Sequence, residues 1–378
     1  CSSDLGARTL PAAAYVSPEV FAWERDELLA RSWLCAGRLS PGAGAHAMSV
    51  AGRDIVVTRD ATGQVRAFHN VCRHRGHPLL GSGERREGGA LTCPYHAWTY
   101  GLDGALRSAP RFPDVPGFST EAHGLVYVRV AAWREWLFVD LSGEAPPLAT
   151  WLGSLDRLVA PWQPERCFIG AEHAYTVRAN WKTITENFHE CYHCPSIHPE
   201  LCAVTDLASG GNVPLADGYW IGGPMRLRAG VTTMSLDGQS RGVPMPGLEG
   251  DALRQVSYYG VFPNLLVSLH PDYVMTHHVE PLGPEETRVT CTWLFPPEAK
   301  ARPDFDPAYA ADFWDRTNRQ DWRACEAVAR GLRSPGFRQG PLTWKEDGVH
   351  AFMAMMANAY RDGVVSRPGA ILERPRQG

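Results

Sequence analysis

The sequence lacks any run of about 18 apolar residues, which excludes an ordinary membrane-spanning helix. It also has no stretch that concentrates Lys and Arg, and its formal net charge is -4, so nucleic acid is not an expected partner. We find no internal repeat and no low-complexity tract. What is present is the composition of a globular protein, with 44% hydrophobic and 21% charged residues over 378 positions, enough for two or three domains.

The ten cysteines do not show the spacing of a small disulfide-stapled scaffold. At least two of them instead pair with histidines in a pattern typical of metal ligands. The sequence therefore predicts a reducing, cytoplasmic setting in which cysteines serve metal chemistry rather than cross-linking.

Short apolar runs broken by Gly and Asp predict a small all-β domain over residues 38–148. An N-terminal helix is predicted over 18–34, with Ser17 as its N-cap and Pro18 at the first helical position. Residues 1–37, which contain this helix, are assigned to the larger domain that follows the all-β domain. A Gly- and Pro-containing linker at 142–147 leads into a larger α+β domain over 149–378.

The larger domain is predicted to combine an antiparallel meander with helices. Residues 172–180 resemble a strand, and the Gly- and Pro-rich segment 204–250 predicts long loops. Helices are predicted over 181–193, which ends before Pro195, and over 308–332. Four further strands are predicted at 255–261, 265–270, 273–281 and 287–295.

The first constellation of chemical interest is Cys72-x-His74 followed, after eighteen intervening residues, by Cys93-Pro-Tyr-His96. Two arms that each carry one Cys and one His, each predicted at the tip of a hairpin, can hold a [2Fe–2S] centre in which two His replace two Cys on one iron. A structural zinc site uses the same ligand types, but zinc fingers usually pair Cys with Cys and His with His. The mixed arms therefore favour the iron–sulfur interpretation.

Residues around these arms fit a buried cluster. Gly76 and Gly101 permit tight turns, and Tyr95, Trp98 and Tyr100 are candidates to shield the sulfurs and donate hydrogen bonds to them. Residues 70–78, Asn-Val-Cys-Arg-His-Arg-Gly-His-Pro, and 93–101, Cys-Pro-Tyr-His-Ala-Trp-Thr-Tyr-Gly, resemble the Rieske domain of aromatic-ring-hydroxylating and related oxygenases.

The second constellation begins with His193 and His198, five residues apart. Two imidazoles this close can share one metal and form two thirds of a two-His-one-carboxylate triad, which leaves positions open for O2. Asp321 is the candidate carboxylate, because it lies on one face of the late helix with Trp314, Thr317, Ala324 and Val328. Periodicity alone leaves open that Asp321 pairs with Arg316, Arg319 or Arg323.

The segment 186–198, Glu-Asn-Phe-x-Glu-x-Tyr-His-x4-His, resembles the iron-binding segment of the same oxygenases, and Gln320-Asp321 is similar to their carboxylate position. This resemblance implies that His193, His198 and Asp321 bind a mononuclear iron. It also implies that Glu190 connects this site to a cluster histidine, His74 or His96, of a neighbouring subunit. The alternative is that Glu190 is a surface or capping carboxylate.

Two other patterns occur in the same segment. His189-Glu190-x-x-His193 fits the H-E-x-x-H metalloprotease motif, but that reading leaves His198 and the Cys/His arms unexplained. Cys191 and Cys194 form a C-x-x-C pair without a thioredoxin-like context, so we interpret them as packed cysteines at a helix end.

The resemblance implies an α+β fold with a small Rieske domain and a larger helix-grip catalytic domain. It implies an O2-dependent oxygenase component, a monooxygenase or dioxygenase, with a [2Fe–2S] cluster and mononuclear Fe(II). Electrons would come from a separate NAD(P)H-dependent flavin or iron–sulfur reductase, since no G-x-G-x-x-G signature is evident here. A homotrimer is expected because the family's electron path crosses subunits.

The opening residues 10–21 and 33–38 resemble the choline, glycine-betaine and proline-betaine branch of the family. That branch implies hydroxylation of a carbon attached to nitrogen, with N-demethylation where the carbon is a methyl group. Oxidation of an aromatic acid, and an iron–sulfur electron carrier without a working oxygen site, remain the alternatives. A quaternary ammonium is best held by an aromatic cage, for which the candidates are Trp220, Tyr258, Tyr259, Phe262, Tyr273 and Trp293.

Overall fold

The computed structural model describes residues 7–39, 42–112, 116–213 and 217–368, so parts of the predicted domains lie outside the described residues. The chain divides into a smaller unit, residues 29–145, and a larger unit, residues 1–28 with 146–378. The predicted boundaries at 37 and 148 differ from these. Residues 29–37 join the smaller unit because Leu34–Arg38 pairs with Trp136–Asp140.

The smaller unit is built of β-strands, as predicted. Its strands are β1 (Leu34–Arg38), β2 (Gly44–Val50), β3 (Arg53–Arg59), β4 (Val65–His69), β5 (Arg85–Glu87), β6 (Ala90–Thr92), β7 (Thr99–Gly101), β8 (Leu106–Ser108), β9 (Tyr127–Trp133) and β10 (Trp136–Asp140). They form one sheet in the order β1-β10-β9-β4-β3-β2-β5 and another in the order β6-β7-β8. The described part of this unit also contains a short 3-10 helix, Glu121–His123.

The larger unit contains one antiparallel sheet in the order β11-β17-β16-β15-β14-β13-β12. Its strands are β11 (Phe168–Val177), β12 (Thr205–Asp206), β13 (Trp220–Leu227), β14 (Gln255–Val261), β15 (Leu265–Leu269), β16 (Val274–Gly283) and β17 (Glu286–Phe295). The meander from β14 to β17 confirms the predicted strands. The interpretation of 204–250 as loops was wrong for β13, whose strand signal was hidden by the Gly-Gly-Pro run at 222–224.

Helices complete the larger unit and confirm the α+β prediction. They are α1 (Ala13–Val16), α2 (Pro18–Trp23), α3 (Leu148–Leu152), α4 (Leu155–Val159), α5 (Trp181–Phe188), α6 (Cys194–Ile197), α7 (Pro199–Val204), α8 (Ala308–Leu332) and α9 (Asp347–Asp362). Short 3-10 helices lie at Ala160–Trp162, Pro164–Arg166, Leu207–Ser209, Gly250–Arg254, Pro297–Ala301 and Trp344–Glu346. No helix in the described ranges is long and apolar enough to cross a membrane.

The predicted N-terminal helix is shorter than expected. Ser17 caps α2 as predicted, because its side chain accepts a hydrogen bond from the backbone N–H of Val20. After Trp23 the chain continues as a π-helical segment, Glu24–Leu29, and then enters β1 at Leu34.

Helix α5 also ends earlier than predicted, at Phe188 instead of residue 193. Asn180 caps its start by accepting a hydrogen bond from the backbone N–H of Lys182 at 3.0 Å. Beyond its end, the Glu190 carboxylate accepts hydrogen bonds from the backbone N–H groups of Tyr192 and His193. Such side-chain bonds compete with helical ones, so residues 189–193 do not continue α5.

A buried ion pair joins α5 to the N-terminal segment. Lys182 Nζ lies 2.7 Å from Glu24 Oε1, and both side chains are fully buried. The indole N–H of Trp181 and the hydroxyl of Tyr360 also donate to the Glu24 carboxylate. Because removing one partner would leave an uncompensated buried charge, this network ties the π-helical segment Glu24–Leu29, α5 and α9 together.

Glu186, on the same helix, makes stability depend on pH. Burial raises its pKa from 4.5 to about 8, although a hydrogen bond from Tyr15 and the nearby Lys182 oppose the shift. The folded state therefore binds a proton that the unfolded state has lost above pH 4.5, and stability should fall as pH rises towards 8.

We expect Glu186→Gln to reduce this loss of stability at higher pH, because the amide is neutral at every pH and can still accept the Tyr15 hydrogen bond. Urea-unfolding midpoints between pH 5 and 8 measure the effect. Glu249→Gln, at an exposed position, should retain the wild-type dependence. Equal pH dependence in wild type and Glu186→Gln would contradict the assignment.

Candidate metal centres

The two Cys/His arms lie on loops of the smaller unit. Cys93 and His96 occupy the tip of the β6–β7 hairpin, as predicted, where the Cys93 N–H donates to the Trp98 carbonyl at 2.8 Å. Cys72 and His74 lie between β4 and β5, which pair with different neighbours, so the first arm is a loop and not a hairpin tip. Both cysteines belong to the buried core, each about 2% exposed.

Asn70 holds the first arm in shape. Its buried side chain accepts hydrogen bonds from the backbone N–H groups of Leu79 and Leu80 and donates to the Leu80 carbonyl at 2.8 Å. Gly76 adopts φ +77, a conformation that a side chain would strain, whereas Gly101 lies within β7. The sequence motif contains Asn70 but gives no sign of this role, because its partners Leu79 and Leu80 lie nine and ten residues further along the chain.

Aromatic side chains surround the candidate ligands. The Tyr100 hydroxyl lies 3.4 Å from Cys72 Sγ, and Trp98 stacks on the His74 ring at 4.9 Å between centroids. Tyr95 is half exposed and packs on His96, so it does not shield a sulfur. His74 Nδ1 is buried without a hydrogen-bond partner among the described residues. Two buried thiols with an unpaired imidazole nitrogen fit a [2Fe–2S] cluster with mixed ligands.

The second candidate centre brings together three side chains of the larger unit, two that flank α6 and one on α8. His193 directly precedes α6, His198 ends it, and Asp321 lies on α8. One ligand atom of each residue lies within 4.8 Å of the other two. Within the described ranges, this is the one group of three or more His, Cys, Asp or Glu residues that meets this condition. His198 Nε2 lies 2.9 Å from Asp321 Oδ1, and His193 Nε2 lies 3.4 Å from it.

The hydrogen-bond partners of the two imidazoles fit a cation site. His198 Nδ1 lies 2.7 Å from Gln320 Oε1, and His193 Nδ1 lies 2.5 Å from Glu190 Oε1. Each Nδ1 therefore donates, and a neutral ring then presents a lone pair at Nε2. Once their Nε2 protons are displaced, the two rings direct lone pairs towards the Asp321 carboxylate oxygen, and a bound cation would satisfy all three atoms.

The alternative pairing of Asp321 with arginines is not what the structure contains. Arg316 pairs with Glu200 at 2.9 Å, and Arg319 pairs with Asp315 at 2.8 Å. Trp314 and Thr317 lie on the predicted helix face and line the same cavity as Asp321. Val328 was predicted on the same face but is half exposed, so the predicted face ends before the last turn of α8.

A hydrogen-bonded relay orients His198. Its Nδ1–H donates to Gln320, whose amide donates to Glu200 at 3.2 Å, and Glu200 is paired with Arg316. Reasoning from sequence did not find this relay, because α7 and α8 bring its members together from distant positions. Such outer partners fix the ring orientation and tautomer of a metal-binding histidine.

We expect Gln320→Leu to lower the iron affinity of this centre about tenfold, since His198 would lose the acceptor that holds its Nδ1–H. Anaerobic Fe(II) titration measures the affinity. Arg323→Gln, at an exposed position on α8, is the matched control and should leave it unchanged. Equal affinities in the two variants would show that Gln320 does not orient the ligand.

Glu190 and Asp321 give the centre negative character. Burial opposes charge on His193, but hydrogen bonds to Asp321 and Glu190 still raise its pKa to about 9. The pKa of Asp321 is lowered despite burial, because His193 and His198 contact it. The two carboxylates therefore favour positive charge at this position, and a bound cation would take the place of the His193 Nε2 proton.

The metalloprotease motif is not assembled. The i, i+4 relation of His189 and His193 requires a helix, and α5 ends at Phe188. Burial lowers the pKa of His189 to about 4, and His189 does not belong to the group of donors, His193, His198 and Asp321, that could share one ion. The C-x-x-C pair also differs from the prediction, because Cys191 and Cys194 form a disulfide.

A cavity of about 640 Å³ in the larger unit opens onto the candidate metal centre. Its aromatic walls include Phe188, Tyr258, Trp314 and Trp322, and the exposed Trp344 also lines it. The Phe188 and Tyr258 rings are 6.0 Å apart at 81°, and the Tyr258 and Trp314 rings are 6.3 Å apart at 71°. Of the described lining residues, Lys345 is the one Lys or Arg.

The predicted aromatic cage was largely misplaced. Tyr258 is the one member of that set that lines the large cavity within the described ranges. The others are buried in the core: Trp220, Tyr259, Phe262, Tyr273 and Trp293. Phe188, Trp314 and Trp322 take their place, from helices that the sequence pattern had not connected to the sheet.

Glycines close one wall of the cavity. A Cβ at Gly223 would lie 2.0 Å from the carbonyl oxygen of Gly211, and one at Gly222 would lie 1.9 Å from that of Tyr258. These glycines therefore allow β13 to approach both β14 and the segment that precedes β13.

Comparison with known proteins places this chain in a family. The family profile "Ring hydroxylating alpha subunit (catalytic domain)" matches residues 164–362, and "Rieske [2Fe-2S] domain" matches residues 33–119. The glycine betaine monooxygenase oxygenase subunit of Chromohalobacter salexigens is 32% identical over 96% of this chain and 87% of its own. The carnitine monooxygenase oxygenase subunit of Escherichia coli K12 is 29% identical, with 96% of each covered.

Solved structures agree with these matches. The quaternary ammonium Rieske monooxygenase CntA, in complex with an inhibitor, has a TM-score of 0.78 at 25% identity and covers 93% of this chain and 95% of its own. Naphthalene 1,2-dioxygenase from Rhodococcus sp. shares the fold, with a TM-score of 0.73 at 19% identity, covering 93% of this chain and 94% of its own.

The fold and the two centres define a non-haem iron oxygenase. The chain belongs to the ring-hydroxylating α-subunit family of Rieske oxygenases. Its cofactors are accordingly a [2Fe–2S] cluster and a mononuclear iron.

Proposed function

We propose that this chain is the terminal oxygenase component of a monooxygenase that hydroxylates or N-demethylates a small quaternary ammonium substrate. The observation that carries the proposal is the aromatic cavity at the mononuclear centre, with the carboxylates Asp321 and Glu190 on its lining. Aromatic faces attract quaternary ammonium groups. Relatives of this chain bear the names of glycine betaine, carnitine and choline monooxygenases, which supports the same substrate class.

We further propose that Cys72, His74, Cys93 and His96 hold the [2Fe–2S] cluster, and that His193, His198 and Asp321 hold the iron. The iron, when bound, supplies the site at which O2 is reduced and used to oxidise substrate. The residues of the chain keep two Nε2 atoms and one carboxylate oxygen on one side of the site, which leaves the cavity side open to substrate. The aromatic walls orient the ammonium group and exclude water.

Glu190 is proposed to carry electrons to His193 from the cluster of a neighbouring subunit, within a homotrimer supplied by a separate reductase. The direct Glu190–His193 hydrogen bond supports the last part of this route. Inter-subunit electron transfer is described for CntA, a structure 24% identical to this chain. The cytoplasmic setting and the reductase stay predictions.

Mixed trimers test whether electrons cross between subunits. Chains with His74→Ala and chains with Asp321→Ala would be co-expressed with different tags, and hetero-trimers purified on both. Activity above that of either homotrimer is expected, because an intact cluster in one subunit faces an intact iron centre in the next. Inactive hetero-trimers with wild-type circular dichroism and the remaining metals bound would argue against the crossing route.

A single-turnover assay tests the substrate class without needing the reductase. The dithionite-reduced protein is freed of excess reductant and exposed to O2 with glycine betaine, carnitine or choline. For glycine betaine, one O2, two electrons and two protons should yield dimethylglycine, formaldehyde and water. No oxidised product from any of the three, with turnover of an aromatic acid instead, would replace this proposal with the aromatic alternative.

A further inference from the structure

The Cys191–Cys194 disulfide encloses a candidate iron ligand. It closes a four-residue ring, Cys-Tyr-His-Cys, and His193 lies inside that ring. A ring this short restrains the chain locally, because the covalent bond joins the residues on either side of the ligand. Cross-links between such near neighbours have little effect on the extent of the unfolded chain.

Cys194 is in contact with both candidate histidines. Its Sγ lies 4.0 Å from His193 Nε2, which is the nitrogen that faces Asp321. Its carbonyl accepts the backbone N–H of His198 at 2.9 Å. A change in the bonding of this sulfur therefore acts at the proposed iron position itself.

The disulfide is accessible to a small reductant. Cys191 is partly exposed and Cys194 is buried, and both line the cavity. A thiolate would therefore attack Cys191 Sγ, and Cys194 would leave as a thiolate and take up a proton. In cytoplasmic proteins such bonds are usually transient or redox-sensing rather than structural.

We propose that Cys191 and Cys194 form a reversible redox site that controls which metal the mononuclear centre accepts. The disulfide form holds His193 in place and keeps sulfur away from the metal. Reduction by a dithiol transfers two electrons, with two protons, and gives two thiols while the reductant becomes a disulfide. Cys194 then offers a soft ligand beside His193 Nε2, which favours Zn²⁺ over Fe²⁺. This inference rests on the proposed iron site.

The test compares the two redox forms of the cluster-loaded protein. The disulfide form is prepared with oxidised glutathione and the dithiol form with dithiothreitol, each anaerobically and each desalted before use. Alkylation followed by mass spectrometry identifies the state of Cys191 and Cys194. Fe²⁺ and Zn²⁺ affinities are then measured, and Co²⁺ is used as a spectroscopic probe against a cobalt-free sample.

Reduction is expected to weaken Fe²⁺ binding about tenfold, to raise the preference for Zn²⁺, and to produce a thiolate-to-cobalt charge-transfer band. Cys194→Ser should abolish that band, and the Cys191→Ser/Cys194→Ser double variant should be insensitive to redox state. Cys202→Ser is the matched control, because Cys202 contacts Cys194 O but lies outside the ring, and it should respond like wild type.

The switch would be overturned, and the iron site left intact, if the disulfide and dithiol forms had the same Fe²⁺ affinity and the same Zn²⁺ affinity and no cobalt–thiolate band appeared. Free thiols at both positions in the oxidised preparation would also overturn it. If neither form binds Fe²⁺ at this centre although the cluster is present, the proposed iron site fails instead. The two failures are therefore distinguishable.

Discussion

Asp321→Ala is expected to abolish substrate oxidation, by more than about a hundredfold, while leaving the cluster's absorbance unchanged. Loss of an outer partner of a metal ligand typically costs 10–100-fold, and Asp321 is itself a proposed ligand. The two Nε2 atoms of His193 and His198 would face the cavity without the carboxylate that holds them together electrostatically. Iron content should fall from about three to about two atoms per chain.

The measurements are iron analysis of the reconstituted protein and product formation in a single turnover. Asp312→Ala is the matched control, because Asp312 is exposed on the same helix and does not belong to the donor group. It should keep three irons and full turnover. An active Asp321→Ala protein would remove Asp321 from the iron site.

Glu190→Gln should slow oxidation of the reduced cluster by O2 and substrate roughly a hundredfold, with the mononuclear iron still bound. The side chain keeps its length, but the negative charge that pairs with the His193 Nδ1–H is lost. Stopped-flow absorbance of the cluster follows this step directly, and iron analysis separates slow electron transfer from metal loss.

Two companion variants sharpen this experiment. Glu190→Asp keeps the charge on a shorter side chain and should recover part of the rate. Glu249→Gln, at an exposed position, should behave like wild type. A normal cluster-oxidation rate in Glu190→Gln with iron bound would show that this carboxylate lies outside the electron path.

The ligand predictions depended mostly on local patterns in the sequence. His193 and His198 are near neighbours in the chain, and the Cys/His arms repeat one short motif, so their proximity needed little knowledge of tertiary structure. Asp321 was harder, because periodicity left arginine partners open and the resemblance to the family was needed to favour the metal.

The parts that sequence reasoning missed depend on packing between distant segments. Gln320 and Glu200 meet across α8 and α7, and nothing in either segment indicates the other. The aromatic wall shows the same difficulty, since strand alternation does not reveal which face meets a helix. The end of α5 at Phe188 is set by hydrogen bonds of the Glu190 side chain, which propensity does not describe.

The contact between Gly223 and Gly211 limits how the substrate range of this protein can be altered. Any larger residue at Gly222 or Gly223 would push β13 off its neighbours instead of reshaping the space available to a ligand. Engineering for bulkier or smaller amines should therefore begin at side chains that point into that space, such as Met225 or Leu201. Libraries that spare the glycine pair should retain a far larger share of folded members.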